Sequence, residues 1–293
     1  MSRSKITRRK IDEVLFEYNS NGTKGIVYVE GSNDKRILDF FVFIHDLNCR
    51  VFSIEDFEID EYTLLKYGLS DNSNKHKIVA LANRLAEEID DISDRAIFIV
   101  DTDLDYYFEP IDMGNTKNTV YNNFISYIDI PDLLRKFGHF VLRERYGDGI
   151  SFSAKMLELL RIHTAARLFN ILNMSKKSTG YPCEYINLKR GEDIDININH
   201  YVSQLRLAVE GSISAEESKL ALNSMIGYVG HDPRRYVNDH DLIETIKYIF
   251  NYKNSLSFRG EDTLDRLIFL SYDFKKLKHS RIFNEVVQFA NKQ

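Results

Sequence analysis

Four carboxylates early in the chain have the types and spacing for divalent-metal chemistry. Glu30 closes the run Gly25-Ile-Val-Tyr-Val-Glu30 and is followed by Gly31, while Asp101 closes Arg95-Ala-Ile-Phe-Ile-Val-Asp101 and is followed by Asp103 and Asp105. Carboxylate oxygens are hard ligands of the kind Mg²⁺ or Mn²⁺ prefers, and Asp-x-Asp lets two acids reach one ion cluster from a turning backbone. A one-metal or two-metal phosphoryl site follows. In it the ion stabilises the attacking and leaving oxygens, and Glu30 acts either as general acid/base or as a further ligand beside Asp101, Asp103 and Asp105. The ordinary role of a strand-terminal Glu is capping or surface charge, and Asp-x-Asp also occurs in common turns.

These acids need elements to hold them. Residues 25–30 form an apolar, β-branched run that reads as a buried strand leaving at a tight turn. Ser32 or Asn33 then caps a helix over 34–44, whose Ile37, Leu38, Phe41 and Ile44 share one face. Residues 50–54 form a second strand, and 95–101 form another, again ending in an acid. Between them, Ile78, Leu81, Ala82, Leu85, Ala86 and Ile89 place a helix over 76–89. Alternating buried strands and amphipathic helices predict an α/β fold with a parallel sheet covered on both faces. Ligands of such sheets bind beyond the carboxyl ends of the strands, where Glu30 and Asp101 are expected.

After Arg145-Tyr-Gly-Asp-Gly149 helical patterns dominate, which predicts a catalytic α/β domain over 1–148 and a mainly helical accessory domain over 149–293. Helices are expected within 156–174 and near 199–209, 215–226, 239–251 and 262–290, with a loop over 175–182 and a strand or loop edge at 194–199. The 293 residues carry 39 Lys and Arg against 44 Asp and Glu, a net charge of −5. Their 17 Tyr and 19 Phe supply enough apolar surface to exclude general disorder. No apolar run reaches the ~18–20 residues that would span a bilayer, and Met1–Lys10 lacks the apolar core of a signal peptide, so a cytoplasmic protein away from membranes is expected. Cys49 and Cys183 are the only cysteines, which excludes a disulfide framework and a Cys-rich zinc module.

Charge is unevenly spread. Residues 11–150 hold 14 Lys and Arg against 27 Asp and Glu, a balance of −13. Nucleic-acid contact must therefore come from the basic head Arg3–Lys10, from the second half or from a partner. Lys75, in Asn74-Lys75-His76-Lys77 just before the 76–89 helix, is a candidate phosphate contact, with a solvated loop as the ordinary reading. Asp34 is either a nearby metal acid or a first-turn acid favoured by the helix dipole. His163, Arg167 and Arg161 read as a solvated basic stripe. Lys275, Lys276, Lys278, His279 and Arg281 with Tyr272 and Phe274 form the best basic-aromatic cluster of the second half.

Other owners of an Asp-x-Asp fit less well. A phosphatase pair belongs after the first strand of its domain, and a glycosyltransferase does not require an upstream Glu-Gly turn. Through Val29-Glu30-Gly31 and Asp101-Thr102-Asp103 the chain resembles the TOPRIM fold, the magnesium-dependent domain of topoisomerases, primases and overcoming-lysogenisation-defect nucleases. With Val29-Glu-Gly-Ser-Asn-Asp34, Tyr121-Asn-Asn-Phe-Ile-Ser-Tyr127 and Val237-Asn-Asp-His-Asp-Leu242 in the same order, it is similar to the TOPRIM-like nuclease family of the AriB effector of PARIS anti-phage systems. The resemblance implies a magnesium-dependent endonuclease held by an ABC-type ATPase (AriA-like) encoded nearby and released when a phage protein is sensed. It implies an RNA substrate, most readily tRNA, and leaves room for a homodimer. Two departures stand out. Asn123 and Ile125 replace the usual acid pair, and Asp239 replaces the glycine before His240 and Asp241, whose alternative role is helix capping. A non-catalytic TOPRIM-fold subunit of an ATPase complex and a TOPRIM DNA endonuclease are the alternatives.

Overall fold

The computed structural model describes residues 8–21, 24–69, 73–102, 104, 107, 119–122, 124–142, 149–175, 178–188, 194–253 and 268–293. They form a mixed α/β chain whose described part divides into two units. One comprises Met1–Phe124 with Asp273–Gln293, the other Ile125–Tyr272. The division thus falls earlier than the junction expected near residue 148, and the last segment belongs with the first.

In the first unit the elements run β1 (Arg9–Lys10), α1 (Ile11–Asn21), β2 (Ile26–Val29), α2 (Ser32–Ile44), β3 (Arg50–Ser53), β4 (Phe57–Glu58), α3 (Glu61–Lys66), α4 (Asn74–Glu88), α5 (Ile92–Arg95), β5 (Ala96–Asp101) and β6 (Thr119–Asn122). Four strands make one parallel sheet in the order β3-β2-β5-β6. Neither α1 nor β6 was anticipated from the sequence. The paired strands β1 and β4 form a separate two-stranded parallel ribbon.

Successive strand residues point to opposite faces. On one face Ile26, Tyr28, Ala96, Phe98 and Val100 pack with Val14 and Tyr18 of α1 and with Ile78, Leu81, Ala82 and Leu85 of α4 in a buried core. Tyr28 and Phe98 stack at 5.0 Å across adjacent strands, and the Tyr18 and Tyr28 hydroxyls lie 3.3 Å apart, so each phenol has a polar partner. On the other face Val27, Val29, Ile97 and Ile99 are equally buried, and α2 lies along β2 and β3. Of the helical stretch expected over 262–290, residues 262–267 lie outside the described residues, residues 268–270 are helical, and the C-terminal helices α12 (Phe274–Leu277) and α13 (Arg281–Ala290) follow. Ile282, Phe283, Val286 and Phe289 of α13 are buried, and the Phe283 ring meets Phe41 at 4.7 Å and Phe124 at 6.0 Å. These contacts are the physical reason that the last segment joins the α/β unit.

Two helix starts differ from expectation. Ser32 and Asn33 lie inside α2; Gly31 precedes its first turn, and Asp34 Oδ2 accepts the Gly31 N–H at 3.3 Å. Helix α4 begins at Asn74, because the Ser73 hydroxyl accepts the His76 N–H and caps the turn two residues upstream of the expected start.

The second unit contains α6 (Ile130–Leu142), α7 (Gly149–Leu172), the antiparallel pair β7 (Ile186–Leu188) and β8 (Ile194–Ile196), α8 (Ile198–Ala208), α9 (Ala215–Val229), α10 (Pro233–Tyr236) and α11 (Asp239–Lys253). Helix α7 is buried nearly all round, from Met156 to Asn170, and α6, α8, α9 and α10 pack about it. Its polar residues are not a solvated stripe, contrary to the sequence reading. His163 is fully buried, its Nδ1 lies 3.2 Å from the Tyr201 hydroxyl, and burial pushes its pKa down to about 3, so the imidazole is neutral. Arg167 donates two hydrogen bonds to Asp241 of α11, Nη1–Oδ2 at 2.6 Å and Nη2–Oδ1 at 2.9 Å. Asp241 is only 2% exposed.

This bidentate pair predicts a pH-dependent loss of stability. Burial pushes the Asp241 carboxyl up to about 6, with Arg167 pulling it down. A raised carboxyl pKa means that the folded chain binds the proton more readily than the unfolded chain. The contribution of this group to stability is therefore largest at low pH and declines as pH rises through about 6. Arg167→Met leaves the carboxylate buried and unpaired and is expected to cost roughly 3–5 kcal/mol at about pH 8, and clearly less at about pH 5, where the acid takes up a proton. Urea unfolding of both proteins at the two pH values checks this. A deficit that is the same at both, or absent, contradicts the assignment.

Candidate active site

Glu30 and Asp101 stand at the carboxyl ends of neighbouring parallel strands. The register pairs Val29 with Ile99, so the residues just beyond it meet at one sheet edge. There the Glu30 Oε1 accepts the backbone N–H of Asp101 at 2.6 Å. From the first turn of α4, Lys75 Nζ donates to the Asp101 carbonyl oxygen at 2.7 Å. The adjacent Asn74 Nδ2 donates to the Glu30 carbonyl oxygen at 3.1 Å and to Glu55 Oε1 at 3.4 Å. Glu55 follows β3 in a short 3₁₀ turn opened by Ser53, whose hydroxyl accepts the Glu55 N–H at 3.2 Å.

Three parallel strands and one helix start therefore converge on a half-buried cluster of Glu30, Asn74, Lys75 and Asp101, with exposed Glu55 at its rim. Lys75 is helical rather than in a solvated loop, and its ammonium is held at the end of β5. Asn74 and Glu55 were missed by the sequence reading. The signal for Glu55 was present, since it follows a strand as Glu30 does, but no glycine or paired acid marks it. Asp34 instead serves the start of α2 through its bond to Gly31. Asp103, Asp105 and Asn123 lie outside the described residues.

Among the described residues no three His, Cys, Asp or Glu side chains converge as a metal-holding group. Glu30 and Asp101 are residues of the hard-ligand type that binds Mg²⁺, placed at the ends of adjacent strands.

Other candidates fall into place separately. His240 is exposed, and its N–H is taken by Asn238 Oδ1 at 2.9 Å and Asp239 Oδ1 at 2.8 Å, so capping of α11 falls to Asn238 and Asp239. Asp241 is the buried partner of Arg167 and does no capping. Ile125 is buried as an apolar side chain. In the basic head, the Arg9 guanidinium lies 5.5 Å from the ring centres of both Phe52 and Phe57 and pairs with Glu17, so it secures β1 to the α/β unit. In the 272–281 cluster Tyr272 and Phe274 are buried and cannot stack on bases, Lys276 pairs with Asp273, and Arg281 lies 3.4 Å from Glu285.

The chain matches no family model, and it matches no curated protein in sequence. No helix among the described residues is long and apolar enough to cross a membrane.

The bond between Glu30 and Asp101 makes a stability prediction separate from any activity. Glu30→Gln keeps an acceptor oxygen for the Asp101 N–H and is expected to lose less than about 1 kcal/mol, whereas Glu30→Ala strands a half-buried donor and should cost about 1–3 kcal/mol. Equal unfolding midpoints for the two variants would show that the bond carries no weight.

Proposed function

We propose that the chain is a TOPRIM-like, Mg²⁺- or Mn²⁺-dependent endoribonuclease, an effector of anti-phage defence that cuts tRNA when released by a partner ABC-type ATPase. The observation that carries the reading is the meeting of Glu30, Asp101 and Lys75 at the carboxyl edge of a parallel sheet, the place where such sheets bind their ligands. Glu30 and Asp101 would hold the ion, which when bound polarises the scissile phosphate and lowers the pKa of a water. Lys75 neutralises part of the phosphate charge, and its bond to the Asp101 carbonyl fixes where that charge sits. Asn74 ties the Glu30 backbone to Glu55 and so holds the carboxylate-bearing turn in place. The ATPase, the tRNA and the defence role rest on the sequence resemblance alone.

A non-catalytic subunit is the second reading, favoured by one observation: the Glu30 carboxylate already has a structural bond, to the Asp101 N–H.

Incubating total tRNA with Mn²⁺ and the wild type, Glu30→Gln or Asp101→Asn separates the two. The nuclease reading expects cutting by the wild type and a loss of at least about 100-fold in each variant, the usual scale for removing an acid–base group. A wild type that cuts neither tRNA nor duplex DNA, yet co-purifies with the ATPase, establishes the scaffold. Cutting confined to DNA transfers the same site to a DNA endonuclease.

A further inference from the structure

Helix α2 buries Ile37, Leu38 and Phe41 in the α/β unit and turns a second apolar ridge outward. Phe40, Phe43 and Ile44 are 40%, 79% and 37% exposed, and spacings of three and four put them side by side on one helix face. A lone exposed apolar side chain is ordinary; a contiguous group marks an interaction surface. The return of the chain places a cationic segment beside this ridge. The Phe274 ring meets Phe40 edge to face at 4.8 Å, and the Phe274 carbonyl accepts from His45 Nε2 at 3.1 Å. The start of α12 is thereby pinned along the second half of α2. Phe274 and Leu277 are buried, which leaves Lys275 and Lys278 exposed. Lys276 is paired with Asp273 and Arg281 with Glu285, but Lys275 and Lys278 have no ion pair among the described residues.

We propose that Phe40, Phe43 and Ile44, with Lys275 and Lys278 beside them, form a docking surface for an acidic amphipathic helix of a partner protein. The ridge supplies aromatic anchors of the type that dominate interfaces, and it accepts a helix because rows of side chains three and four apart pack between those of a second helix. The two lysines on its flank are matched by carboxylates on the partner, since opposite potentials steer and orient association. A protein fits better than a nucleic acid because Asp39, paired with Lys35, and Asp46 are exposed on the same side of α2 as Phe43. A helix can direct its acids away from them and toward Lys275, whereas a phosphate chain carries charge along its whole length. The surface takes no part in the Glu30 cluster, so its test does not depend on cleavage.

The test measures binding of two fluorescein-labelled peptides, each of about 18 residues and so long enough to form a helix, by the full chain. Both place Leu at i, i+3, i+4 and i+7; one carries Glu and the other Lys on the remaining face. The Glu peptide is expected to bind the wild type, and the Lys peptide at least about tenfold more weakly. Phe43→Ser should weaken the Glu peptide at least about tenfold, the loss typical of an interface anchor. Joint Lys275→Glu and Lys278→Glu should lose the Glu peptide and gain the Lys peptide, an exchange that damage to the fold cannot produce. Thermal melts confirm folding, and should Phe43→Ser not fold, the lysine exchange carries the same expectation. No binding of the Glu peptide, equal binding of both peptides, or binding indifferent to Phe43 and the lysines overturns the surface. Labelled oligouridine in EDTA and sedimentation of the chain alone cover the other occupants. Oligouridine that binds with the same dependence while the Glu peptide does not assigns the surface to RNA and overturns the proposal. A dimer that Phe43→Ser splits into monomers assigns it to a second copy and does the same.

Discussion

Parallel pairing of β2 with both β3 and β5 is the constraint from which the α/β unit follows. Strands that run the same way end at the same edge, so Glu30, Glu55 and Asp101 become neighbours although 71 positions separate the first from the last. The register cannot easily slip. Shifting β2 by one residue would exchange Tyr28, stacked on Phe98, with Val27, which is buried on the opposite face. Precision at the edge is thus inherited from packing in the middle of the sheet.

At that edge the backbone of Asp101 is served by side chains on both sides, with its N–H given to a carboxylate and its carbonyl accepting from an ammonium. Bonds with one ionised partner are roughly twice as strong as neutral ones, which suits a position where regular strand pairing is ending. The second unit uses charge in the opposite way. Its Arg167–Asp241 pair sets a half-buried guanidinium on a buried carboxylate and contributes to a fixed arrangement of α7 against α11.

The strands bearing Glu30 and Asp101 were readable because apolar, β-branched runs bounded by Gly and acids have few other uses. The helix at 74–88 was readable from its apolar stripe, while its true start depended on Ser73, a cap whose role shows only when the turn is built. Burial of His163 and Asp241, and the pairing of half-buried Arg167 with Asp241, were not readable. Polar side chains on a helix normally face water, and only partners remote in sequence, Tyr201 on α8 for His163 and Asp241 on α11 for Arg167, make this setting tolerable for them. The division of the chain was misplaced for a similar reason. A composition change near residue 148 is visible locally, whereas the return of α13 to Phe41 and Phe124 is a long-range contact that no local pattern encodes.

That return gives the α/β unit an unusual order of assembly. Residues 125–272 are made after the sheet strands and before Phe283, so a ribosome finishes one whole unit before the other can bury Phe41 and Phe124 against its last helix. Joining segments so distant adds little entropic cost to the final state, because closure cost grows only with the logarithm of the separation. It does make assembly slow compared with a local helix pair. During that interval Phe41 and Phe124 lack the helix that covers them in the finished unit.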